Sequence, residues 1–147
     1  MKLPKKKKIH EIDPQNLTEP RLTDSQRAMF VRGVELFNNR KFWEAHEAWE
    51  EIWKECEAES RIFFQGIIQA AAAYHLLLVK RRYAGAMNNF DKAMSKLTLF
   101  PAEFLEMNVE KLRKAVSESQ AIAARLGPER LEEFPDSAVP TLVRISQ

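Results

Sequence analysis

Apolar residues return at steps of three and four along most of this chain, the period of helices that bury one side. Met29, Phe30, Val34 and Phe37 keep that period until Asn38 and Asn39 break it. Thr23, with Gln26 three residues on, has the capping-box pattern, so a first helix is expected to start at Thr23 or Asp24. Phe42, Ala45, His46, Trp49, Ile52, Trp53 and Cys56 make the stripe of a second helix, from about residue 41 to 58, and Glu44, Glu47, Glu51, Lys54 and Glu55 take most of the remainder. A third, from about 60 to 80, is apolar nearly all round. Phe64, Ile67, Ile68, Ala71, His75 and Leu78 form one face, while Gly66, Ala70 and Ala73 form a small-residue face that lets another backbone approach, which predicts a central helix. A fourth helix, about 84 to 97, turns Met87, Phe90, Met94 and Leu97 inward and closes at Phe100 and Pro101. After a short turn at 102 to 106, a fifth starts near Asn108 and carries Val109, Leu112, Val116, Ile122 and Leu126 until Gly127 stops it.

These elements predict one all-α domain over residues 23–126, a bundle of about five helices, preceded by a basic arm and linker over 1–22 and followed by an extended tail over 127–147. The tail has three prolines and is expected to lie back on the bundle through Phe134 or Val143. Arg40, Phe42, Ala45 and Trp49 match Arg81, Tyr83, Ala86 and Phe90 in type at a shift of 41 residues, and each set crosses a helix-turn-helix junction. Two copies are fewer than a solenoid needs, so this loosely tetratricopeptide-like echo points to stacked antiparallel helical hairpins rather than a peptide-binding array.

Composition agrees with that class. The chain has 147 residues, 45% hydrophobic and 30% charged, with four glycines, enough for one core without staples. A single cysteine, Cys56, excludes an internal disulfide framework and a multi-cysteine zinc site, and makes the cytoplasm the expected compartment. The apolar run from Ile67 to Val79 is short for a bilayer and contains Gln69 and His75, so no membrane partner is expected. A net charge of +2 does not predict a nucleic-acid partner for the whole domain. The arm from Lys5 to Lys8 is the exception, a lysine run able to contact phosphates.

Chemistry concentrates on the second and third helices. At about 100° per residue, His46 falls within about 40° of Phe42 and about 20° of Trp53, with Glu50 one turn on. Trp43 points about 100° off the stripe, and if exposed it is a contact for a partner or ligand. His75 lies on the inward face of the third helix, and a hairpin turning near Glu59 brings it within a turn of His46. Three readings follow for this cluster. It is a buried polar network; or a pocket for a small molecule or peptide, with Gln65, Gln69 and Glu50 beside an aromatic wall of Trp49, Trp53 and Phe64, and with His46, Glu47 and His75 also among its residues; or a divalent-metal site with His46, Glu50 and His75 as ligands and Glu47 as a base. HEAWE resembles the zincin pattern but has Glu50 where the second histidine would stand. The E-x-x-H motif of di-iron bundles, phosphate-cradling glycine loops and a base within reach of Cys56 are all missing. A binding role, for a small ligand or a protein partner, is the expectation, with a metal-dependent hydrolase and a nucleic-acid adaptor as alternatives.

FNNRKFWEAHEAWEEIW, FFQGIIQAAAAYH and GAMNNFDKAMSKL together resemble the signature helices of an uncharacterised all-helical family, domain of unknown function 309, over about Leu36 to Leu126. The resemblance implies a bundle built from hairpins. It marks Glu44, His46, Glu47, Glu50, Trp53, Gln65, Gly66, Gln69 and His75 as signature positions and implies no activity.

Overall fold

The computed structural model describes residues 12–143. The lysine arm, Lys5 to Lys8, lies outside them. Five helices follow in order: α1 (Asp24–Asn38), α2 (Phe42–Glu55), α3 (Ile62–Tyr74), α4 (Tyr83–Leu97) and α5 (Val109–Leu126). A two-stranded hairpin, β1 (Glu103–Phe104) and β2 (Met107–Asn108), replaces the short turn expected before α5. The fold is an all-α bundle.

Local chemistry sets the helix ends. The Thr23 hydroxyl accepts from the Gln26 amide and the Gln26 side chain accepts from the Thr23 amide, both at 3.0 Å, completing the expected capping box. Helix α2 stops at Glu55, three residues short of the expected end. There the buried Arg61 guanidinium donates to the Cys56 carbonyl at 2.9 Å, taking the place of another helical turn. At the end of α1 the Lys41 amide bonds the Leu36 carbonyl and the Arg40 amide bonds that of Phe37, with Arg40 at φ 66°; this is a Schellman ending in which arginine stands where glycine is usual.

The third helix does not end as the sequence suggested. From His75 to Val79 it widens into a π-turn, Lys80 bonding back to His75 and Arg82 to Leu76, with Arg81 at φ 53°. Arg40 and Arg81 are therefore equivalent in backbone as well as in type. The two returning bonds differ by one residue, 41 to 36 against 82 to 76, and the π-turn accommodates that extra residue.

Helix α3 packs between α2 and α4. The aromatic centre of the core is Tyr74, fully buried, with Phe37, Phe42 and Phe90 around its ring and Ser119 of α5 at 2.7 Å from its hydroxyl. Gly66 meets Leu97 and the stem of Lys96, so the small-residue face does admit α4. The stretch Glu59–Val79, 21 residues, is long and apolar enough by length and composition to cross a membrane, more than the run from Ile67 to Val79 suggested. Burial between two helices accounts for that composition.

The tail folds back through short 3-10 turns. Leu131, Phe134, Val139 and Leu142 are buried, whereas Val143 is exposed. Arg81 donates to the Leu131 carbonyl at 2.9 Å and Arg40 to that of Asp136 at 3.2 Å, while Asn38 exchanges two hydrogen bonds with the Leu142 backbone.

Candidate functional site

Phe42 and Tyr74 stack with centroids 5.8 Å apart, which sets the first turn of α2 beside the last turn of α3. The next residue of each pair decides the site. Trp43 lies parallel to the His46 ring, 4.5 Å between centroids and 8° between planes, and also contacts His75 at 5.2 Å. The two histidines converge, but on an indole. Trp43 remains 45% exposed.

His46 Nε2 is 3.8 Å from Glu50, beyond hydrogen-bond length, and its Nδ1 is buried with no partner among the described residues. Burial pushes the His46 pKa below its ordinary value against the pull of Glu50 and Glu47. His75 is lowered as well, by burial and then by Lys80, with His46 acting in the same direction and Glu44 opposing. Both imidazoles are held toward the neutral form.

The expected site residues divide between two depressions. A groove of about 240 Å³ crosses α2, α3 and α4 and is lined by His46, Glu50, Trp53, Gln65 and Gln69 together with Ile68, Ala72 and Asn89. Glu47 is exposed and does not line it, and Trp49 and Phe64, expected as aromatic walls, are fully buried in the core instead, where the Trp49 N–H donates to the Phe30 carbonyl. His75 faces a different cleft, of about 550 Å³, with Trp43, Glu44, Leu76, Lys80 and Arg82.

Within the groove Gln69 Oε1 accepts from Lys96 Nζ at 2.7 Å, which leaves the amide N–H groups of Gln69 as donors. Asn89 spends one N–H on the Gly85 carbonyl at 2.9 Å and keeps its Oδ1 as an acceptor. Glu50 also faces Lys54 at 3.6 Å. Lys96 is half-buried, and burial, with Lys92 second, lowers its pKa. Asn89 and Lys96 were not foreseen. The small residues of α3 were the available signal, because the close approach they permit brings α4 to the edge of the groove.

The proposed metal ligands His46, Glu50 and His75 are not gathered around one point. Among the described residues no three His, Cys, Asp or Glu side chains group as a metal's ligands. The physical reason is Trp43, whose ring contacts both imidazoles.

Residues 30–89 match the model of a family described as a domain of unknown function, DUF309. The likeness to DUF309 is confined to that segment. The match runs from α1 into α4, ending at Asn89, so it is shorter than the span suggested by the motifs and leaves out α5. The matched segment contains every residue lining the groove, and those lining the cleft as well. No curated protein matches the chain.

Proposed function

We propose that this chain is a cytoplasmic binding protein whose groove across α2, α3 and α4 takes a small hydrogen-bonding ligand, or a side chain of a protein partner, without turning it over. One observation carries the reading: Gln65, Gln69 and Asn89, carboxamide residues from two helices, line a single groove with Trp53. Carboxamides donate and accept hydrogen bonds but do not exchange protons near neutral pH, so they suit recognition better than acid–base chemistry. Three carboxamide residues in one groove with an aromatic and aliphatic lining suit a polar, partly planar ligand. Glu50 adds one anionic acceptor at the α2 side.

The test is thermal denaturation of the full chain against a library of small fragments, alongside Gln69→Leu. Fragments bearing amide or heteroaromatic N–H groups should raise the Tm of the parent and leave the variant unmoved. A library without any such fragment, or stabilisation by a divalent metal that disappears in both His46→Ala and His75→Ala, would overturn the reading; the second result would put metal-dependent hydrolysis in its place.

A further inference from the structure

The second depression lies at the end of the bundle where α1 meets α2 and the π-turn meets α4. Trp43, His75 and Leu76 line it together with the exposed Lys80, Arg82 and Glu44. Three features set it apart from an ordinary surface. Trp43 is held in place by two imidazoles yet is nearly half exposed, and Val79, at the end of the π-turn, is 57% exposed. A rigid, open tryptophan is the side chain most often found at the energetic centre of a protein interface. Next, the two turns carry five cations in close succession, Arg40, Lys41, Lys80, Arg81 and Arg82. Arg40 and Arg81 are occupied by tail carbonyls, whereas Lys80 and Arg82 form no ion pair among the described residues. Finally, the π-turn that exposes Val79 also fixes His75 against Trp43, and such turns recur at functional sites.

We propose that this cleft docks an acidic segment of a partner protein, an aromatic or aliphatic anchor resting on Trp43 and its flanking carboxylates meeting Lys80 and Arg82. Charge complementarity names the occupant. An extended nucleic-acid backbone fits less well, because Glu44 stands in the wall and Glu47, Glu51 and Glu55 continue down the exposed side of α2, where they would repel a run of phosphates. A peptide carries its carboxylates at discrete positions and can confine them to the cationic rim. The inference is independent of the groove, which shares no lining residue with the cleft.

The experiment is selection of displayed random peptides on the full chain, with binding then measured for Lys80→Glu combined with Arg82→Glu, and separately for Trp43→Ala. Enriched peptides should be acidic with an aromatic or aliphatic anchor, weaken with added salt, and lose at least about tenfold in affinity in each variant. Lysine-for-carboxylate versions of those peptides should regain binding to the charge-reversed variant, a rescue that misfolding cannot mimic. The inference is overturned if no peptide is enriched, if enriched peptides are neutral or basic, if the charge reversal leaves their affinity unchanged, or if oligothymidylate binds this surface more tightly than any of them.

Discussion

His46 and His75 share the Trp43 ring, and each imidazole is easier to protonate in the unfolded chain, near the ordinary 6.5, than in the folded one. The unfolded state therefore takes up protons first as pH falls, so the stability these residues contribute is complete above about 6.5 and is lost as pH drops through their folded-state values. The Tm of the full chain should fall between about pH 7.5 and about pH 5, and His46→Gln with His75→Gln should flatten that fall. An unchanged slope in the double variant would assign the pH dependence to other groups. The same ring contacts predict that untagged protein purified without chelator carries no stoichiometric metal by elemental analysis. Gly33 sits at another close contact: a Cβ there would overlap the Trp49 indole, whose N–H donates to the Phe30 carbonyl at 3.1 Å. Gly33→Ala should cost about 3 kcal/mol by urea unfolding, the upper end for overpacking a core.

Between helices, the fold is organised by two equivalent turns that each keep an arginine in the left-handed region. An L-residue there costs about 1 kcal/mol relative to glycine, and the hydrogen bond from each guanidinium to a tail carbonyl returns a similar amount. Arg81→Gly should for that reason leave the global unfolding midpoint almost unchanged while the amides between Leu131 and Leu142 exchange faster. Equal loss of stability throughout the chain would mean that the tail is part of the same cooperative unit as the helices. Asn38→Ala removes two hydrogen bonds to Leu142 and should loosen the end of the tail more than Arg81→Gly does.

At the scale of the molecule, most of the architecture was legible because helical periodicity is a local signal. The Thr23 cap, the centrality of α3 and the inward Phe90 and Leu97 follow from spacing alone. The π-turn was not legible, since one extra residue in HLLLV leaves the apolar pattern intact while changing which carbonyl Arg82 reaches. For the site, face arithmetic brought His46 and His75 together and set Trp43 about 100° off the stripe, but it did not lay the indole against both imidazoles, because a ring in that position is placed by its partners and not by its own helix. Asn89 fell within the groove because α4 completes it, in a register that depends on packing against Gly66, whereas Glu47 fell outside because it lies on the exposed side of α2. The claim that binds these observations together is that the groove is a recognition site. The most direct measurement is an NMR titration of the full chain with the best stabilising fragment, followed through the side-chain amide signals of Gln65, Gln69 and Asn89 and the indole signal of Trp53. Saturable shifts confined to those signals, absent in Gln69→Leu and without conversion of the fragment, are the predicted result. Shifts elsewhere with the groove signals unmoved, or turnover of the fragment, would contradict it.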